Sequence, residues 1–358
     1  VDRRTFLTKT SGALLGLSAG SLPSFLPAQE GHPAAGMIDR NTENQINASL
    51  DWLARQQQTD GSFGTLNQSG SVAVTSLAGM ALMSGGHQPG RGRYGEHVLR
   101  AVRAIIRSED PGIPGFLHNP RSAMHGPMYG HGFATLFLAE VYGMVNDATV
   151  RGELRSTLTR AVRLIQTSQN QEGGWRYQPQ PRDADLSVTV CQINALRAAR
   201  NAGIAVPIGV RDRCEAYVRR CQDPGSGGFR YQAHGGVPGF ARTAAGVVAL
   251  MSAGVYDGDA VNNGLNYLNQ RRPGGGGGGL GFEAQMHYFY GHYYAVQAMW
   301  IAGGAHWRNW YPAIRDELLR SRRPEGSWSQ GLMDTHYCTA MALIILQVPN
   351  NYLPILQR

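Results

Sequence analysis

The sequence predicts an all-α protein, an α/α toroid of six helical hairpins, and three observations carry that prediction. A Gly-plus-aromatic turn occurs six times along 358 residues, at a period of roughly 45 to 58 residues, which marks a repeat architecture in which each unit buries its apolar face only against its neighbours. Every turn leads into an apolar stretch rich in Ala, Leu, Val and Met and is preceded by an amphipathic stretch that carries the arginines. An open solenoid needs capping repeats with a polar outer face, and neither terminal inner helix looks polar, so closure into a ring is what buries all the apolar stretches.

The turns are Asp60-Gly61-Ser62-Phe63, Pro114-Gly115-Phe116, Glu172-Gly173-Gly174-Trp175, Gly227-Gly228-Phe229, Gly279-Leu280-Gly281-Phe282 and Glu325-Gly326-Ser327-Trp328. When the copies are aligned on their apolar runs, one column reads Thr75, His131, Thr189, Thr243, His292 and His336. In a closed ring the first turn of each inner helix faces one end of a central cavity, so this column and its neighbours are expected to line one pocket.

Taken in order, residues 1–28 read as a twin-arginine signal peptide. Arg3-Arg4-Thr5-Phe6-Leu7 precedes a mild apolar stretch from Ala13 to Leu26 that ends at Pro27-Ala28, too short and too interrupted to span a bilayer. A disordered tail with a chance Arg pair is the plainer alternative. Residues 29–40 read as a flexible lead-in and 41–358 as the toroid. Asn41 to Gln58 shows helical spacing with an apolar stripe at Ile46, Leu50 and Leu53, and Val72 to Met83 is apolar almost all round, so the second helix must be buried on more than one side. The same pair returns as Arg93 to Arg107 with Gly130 to Tyr142, Glu153 to Gln169 with Ser187 to Ala199, and Val210 to Cys221 with Thr243 to Met251. It returns again as Asp259 to Gln270 with His292 to Ile301, and Tyr311 to Arg320 with His336 to Leu346. Gly85-Gly86, Gly203, Gly254 and Gly303-Gly304 stand where C-terminal glycines stop helices. The glycine run Gly274 to Gly279 reads as a surface loop or a lid.

Composition narrows the function. With 42% hydrophobic and 16% charged residues the chain is globular, and no segment has eighteen uninterrupted apolar residues, so no membrane span is expected. The formal charge of +8 becomes +6 without the leader and is carried by arginine, since Lys9 is the only lysine. With no lysine-rich patch and no RNA-binding motif, nucleic acid is not an expected partner, and Schiff-base chemistry has no lysine to use. Cys214 and Cys221 are seven residues apart on a helix, about 10.5 Å along its axis, beyond disulfide reach. Buried thiols are expected for all four cysteines, in keeping with a protein that folds in the cytoplasm before export to the periplasm or cell exterior.

The Gly-aromatic turns that follow Gln-bearing outer helices (Gln56-Gln57-Gln58 before Gly61-Ser62-Phe63, Gln169-Asn170-Gln171 before Gly173-Gly174-Trp175) resemble the repeats of squalene-hopene cyclases and protein prenyltransferase β subunits, over about residues 41 to 347. The resemblance implies the toroid and, for cyclases, an Asp-x-Asp-Asp acid motif. Its nearest match is Asp183-Ala184-Asp185-Leu186-Ser187. Matched directly, Asp185 is the acid supported by Asp183; aligned by inner-helix register, the acid position falls on Ser187. Protonating an alkene requires a carboxyl in an apolar cavity and aromatic faces for the cation. Tyr129, Phe133, Tyr177, Tyr231, Phe240, Tyr288, Phe289, Tyr290, Tyr293, Tyr294 and Tyr337 are candidates for those faces, with His131, Thr189 and Thr243 beside them. The same two aspartates also stand where a helix N-cap is expected.

The resemblance to prenyltransferases implies a zinc site. The family's Asp-x-Cys becomes Tyr290-Gly291-His292 here, and His292, Asp334 and His336 would form a two-His, one-carboxylate set with an open position; alternatively Asp334 caps the sixth inner helix. Two functions are therefore expected to compete: an exported protein that binds an isoprenoid or other apolar ligand, with or without turnover, and a catalytically silent toroid that serves as an envelope scaffold or binds an envelope protein. A cavity of roughly 300 Å³ or more supports the first.

Overall fold

The computed structural model describes residues 34, 36–122, 126–274 and 286–357. The expected leader lies outside the described residues, as does the fifth turn with all but the first glycine of the run before it. The described residues form twelve α-helices and no strand, only isolated two-residue bridges. The outer helices are α1 (Arg40–Arg55), α3 (Gly95–Arg107), α5 (Ala148–Thr167), α7 (Ile208–Cys221), α9 (Asp259–Asn269) and α11 (Gly304–Ser321). The inner helices are α2 (Val72–Ser84), α4 (Pro127–Tyr142), α6 (Leu186–Asn201), α8 (Phe240–Ser252), α10 (Tyr288–Ala302) and α12 (Thr335–Gln347).

Each inner helix packs on the next, and α12 packs back on α2, so the six close into a ring. The fold is an α/α toroid, as the sequence predicts. Every residue of α2 is buried, because one side meets α4, another α12 and a third the outer helices α1 and α3. Full burial of residues such as Leu77, Met80 and Leu82 contributes roughly 1.5 to 3 kcal/mol each. Two polar ties reinforce the seam of the ring: Gln347 Nε2 donates to the Ala81 carbonyl at 3.1 Å and Asn350 Nδ2 to that of Ser84 at 2.9 Å.

The repeated turn explains how one hairpin finds the next. The leading glycine of each described turn has a positive φ, from 74° at Gly227 to 106° at Gly326. Each is pressed against the next outer helix: a Cβ on Gly61 would come 2.5 Å from the Arg100 carbonyl oxygen of α3, and one on Gly173 would overlap the Arg213 carbonyl of α7. The last turn closes the circle, since Gly326 faces the Ala48 carbonyl of α1. In three of the repeats a glutamine just past the outer helix ties the joint. Gln57 donates to the Gly61 and His97 carbonyls, Gln169 to those of Gly173 and Val210, and Gln222 to those of Gly227 and Ala260. These glutamines have left the helix, which is why α1 ends at Arg55 and not at Gln58.

All four cysteines are buried and unpaired. Beyond α12, a turn at Val348–Asn350 leads to a short segment through Pro354–Leu356 that lies across the C-terminal ends of the inner helices.

Gly173→Ala adds a Cβ both at a left-handed φ and into a carbonyl, so it should lower stability by about 3 kcal/mol. Gly143→Ala, at φ −74° with open space around it, should stay within about 0.5 kcal/mol of wild type; urea unfolding of the two variants makes the comparison.

Candidate functional site

The six aligned column residues do not ring a cavity, which corrects the expectation from the sequence. Four of them, Thr75, His131, Thr189 and Thr243, point outward, between the two rings, and hold the turns. The Thr75 hydroxyl accepts the Phe63 N–H at 2.9 Å, Thr189 that of Trp175 at 3.1 Å and Thr243 that of Phe229 at 2.9 Å, while His131 Nδ1 accepts the Leu117 N–H at 3.2 Å. In the sixth copy this duty belongs to Thr339, which accepts the Trp328 N–H at 3.0 Å, so His336 stands three residues out of register with the column. The signal for this is the spacing from turn to threonine, which varies with loop length. His292 occupies the column in the fifth copy and is fully buried against the rings of Phe240, Tyr288 and Trp310, at centroid distances of 4.9, 4.5 and 6.1 Å. Burial holds both His131 and His292 down at about 3, so both are neutral imidazoles.

Two residues along an α-helix is a rotation of about 200°, so the positions two before the holding column face the opposite way. They read Ala73, Tyr129, Ser187, Ala241, Tyr290 and Tyr337, and all six line a central cavity of about 590 Å³. Phe133, Phe289, Tyr177 and Tyr231 complete its aromatic wall, and Gln68, Arg242, Met286, His287, Gln330 and Met333 the remainder. Of the residues predicted for the cavity, Tyr129, Phe133, Tyr177, Tyr231, Phe289, Tyr290 and Tyr337 are brought together. His131, Thr189, Thr243, Phe240, Tyr288, Tyr293 and Tyr294 are not among the lining residues. Tyr293 lies just behind the wall, packed edge-on against Phe133 at 6.0 Å, and Phe240 packs outward against His292 and Trp310. Sequence reasoning missed Ala73 and Ala241, which bear no chemistry, and the polar Gln68, Arg242 and Gln330.

Tyr177 and Tyr231 come from the stretches after the third and fourth turns. Each is fixed because its carbonyl accepts an N–H at the start of an inner helix, Met128 at 3.1 Å and Leu186 at 2.9 Å. Their hydroxyls meet at 2.5 Å, and the Arg176 guanidinium lies over both rings, 5.0 and 5.7 Å from the centroids. Behind this wall stand the two aspartates. Asp183 is half exposed and pairs with Arg176 at 2.5 Å; Asp185 is fully buried, with its Oδ2 3.6 Å from Arg176 Nε. Asp185 Oδ1 accepts the Val188 N–H at 2.8 Å, which makes it the N-cap of α6. Neither aspartate is among the residues lining the cavity; the lining residue of this segment is Ser187. Burial pushes the Asp185 carboxyl up to about 6, against the opposing influence of the Val188 N–H and of Arg176.

The three expected zinc ligands do not converge, which sets that reading aside. His336 Nδ1 accepts the Gly64 N–H at 3.1 Å, and Asp334 Oδ2 accepts from both the N–H and the hydroxyl of Thr65 at 2.6 Å. Asp334 Oδ1 caps α12 through the Tyr337 N–H at 2.9 Å. Both residues join the sixth loop to the first, while His292 is enclosed by its aromatic cage. Among the described residues no three His, Cys, Asp or Glu side chains are grouped to hold a metal, and no helix is long and apolar enough to cross a membrane.

No family model matches the chain, and no curated protein matches it either. Solved structures do. The type II terpene cyclase MstE from Scytonema is similar at a TM-score of 0.58 with 17% identity, over 88% of this chain and 98% of that one. An α-1,6-mannanase of Salegentibacter, in complex with α-1,6-mannotriose, is similar at 0.58 with 9% identity, over 87% and 99%. The cellobiose 2-epimerase of Bacillus thermoamylovorans is similar at 0.61 with 11% identity, over 86% and 99%. All three are α/α toroid enzymes, and at these identities the likeness establishes the fold alone.

The Asp185 environment sets a pH dependence. Its carboxyl titrates at about 6 in the folded chain against an ordinary 3.8, so between those values the folded state keeps a proton that the unfolded state releases. Stability therefore falls as pH rises through this window, by about 1.4 kcal/mol per pH unit, and levels off above it. Asp185→Asn keeps the cap and removes the titration. Subtracting the variant's urea stability from that of wild type, from pH 3.8 to 7, should leave this downward step; a flat difference would place Asp185 in contact with water.

Proposed function

We propose that this chain is an exported member of the terpenoid cyclase and prenyltransferase superfamily whose cavity binds an isoprenoid or other apolar small molecule. One observation carries the reading: a cavity of about 590 Å³ walled by five tyrosines and two phenylalanines, with no carboxylate among the described lining residues. That volume lies within the range of small-molecule sites. A scaffold gains nothing from an open centre, and a plugged ring would bury more apolar surface. Glycoside hydrolysis has less support, because it uses two carboxyl groups flanking the scissile bond. Proton-initiated cyclisation also has less support, because Asp185 stands behind Tyr177 and Tyr231 and the wall presents Ser187 in its place. Ligand retention is thus better supported than turnover. A variant of MstE was solved with its substrate, geranylgeranyl dihydroxybenzoate, an apolar chain of the class proposed here. The Arg3-Arg4 leader supports export.

Native mass spectrometry with geranylgeraniol as the probe tests the proposal. Wild type should show one bound molecule, and Ala73→Phe, which fills the cavity from α2, should reduce occupancy at least tenfold with unchanged helical circular dichroism. Equal occupancy in the two proteins would place any binding outside the cavity and defeat the reading.

A further inference from the structure

Glu140 of α4 and Arg197 of α6 are the only acidic or basic side chains, histidine aside, buried within the described inner helices. Burying such groups is costly unless they are partnered, and neither faces the cavity. Both serve the segment that follows Tyr352. Glu140 Oε2 accepts the Ile355 N–H at 3.1 Å and Arg197 Nη2 donates to the Gln357 carbonyl. From a third inner helix, Trp300 Nε1 of α10 donates to the Leu356 carbonyl at 3.1 Å. All three bonds go to main-chain atoms, while Leu353, Ile355 and Leu356 bury their side chains. This is how a peptide site works: main-chain hydrogen bonds hold the segment and apolar recesses select its side chains. The segment is joined to the ring through Asn351, which has a φ of 53°, and the exposed Tyr352.

We propose that the end of the ring opposite the cavity mouth is a binding site for an apolar peptide, filled in cis by residues 353–357. The same site accepts a peptide of Leu-Pro-Ile-Leu-Gln type in trans once the chain's own segment is released. The proposal is independent of what the central cavity holds.

The test uses the full chain with a protease recognition sequence inserted between Asn351 and Tyr352, folded intact and then cut. A fluorescein-labelled peptide of residues 352–357 is the probe, read by fluorescence anisotropy. The cut protein should keep its helical circular dichroism, release its own segment on dialysis and bind the labelled peptide one to one. Uncut protein and a scrambled peptide should show binding at least tenfold weaker. Glu140→Leu combined with Arg197→Met in the cut protein should weaken binding at least tenfold. Three results would each overturn the proposal: unfolding on cleavage, a cut segment that never exchanges, or equal affinity in the double variant.

Discussion

The structure depends on one close approach, that of a left-handed glycine to the backbone of the next outer helix. At Gly61, Gly115 and Gly173 the gap admits no Cβ, and the adjoining aromatic or leucine N–H is taken by the holding column of the inner helix. Each turn therefore sets the register of its own inner helix and the position of the following hairpin in one step. Gly326 faces α1 more loosely, with the Ala48 carbonyl oxygen 3.3 Å from where a Cβ would stand, and so the sixth repeat has the first as its neighbour. The ring closes without any special cap.

Fixing one face of each inner helix outward fixes the opposite face inward. The inward positions are mixed in size: small at Ala73, Ser187 and Ala241, large at Tyr129, Tyr290 and Tyr337. Had all six been tyrosine the centre would be filled, and had all six been alanine it would lack aromatic walls. The open volume is thus a product of three small residues at a position where the packing of the turns permits any size.

The fold is legible in the sequence because a glycine turn that recurs six times, between alternating amphipathic and apolar helices, can bury its apolar faces only in a closed ring of hairpins. The site is half legible. Aromatic residues near helix starts, such as Tyr129 and Tyr337, announce themselves by type, but the periodic pattern of a helix buried all round cannot say which face looks inward. That is why the sequence points to Thr189 and Thr243 as cavity residues and passes over Ala241. His336 and Asp334 draw notice as metal ligands because histidine and aspartate near each other serve binding and loop fastening alike. Only the loop geometry at Gly64 and Thr65, set by residues about 270 positions away in the sequence, separates the two. Asp185 shows the same ambiguity: an N-cap and a catalytic acid share residue type and place.

The central claim, that the inward face of the ring encloses an apolar ligand, is tested most directly by a crystal structure of the protein grown with geranylgeraniol. The account predicts a continuous chain of density between Tyr129, Tyr290 and Tyr337, with the side chains of the holding column unmoved. A cavity that contains only ordered water, or one that has collapsed around inward-turned side chains, would contradict it.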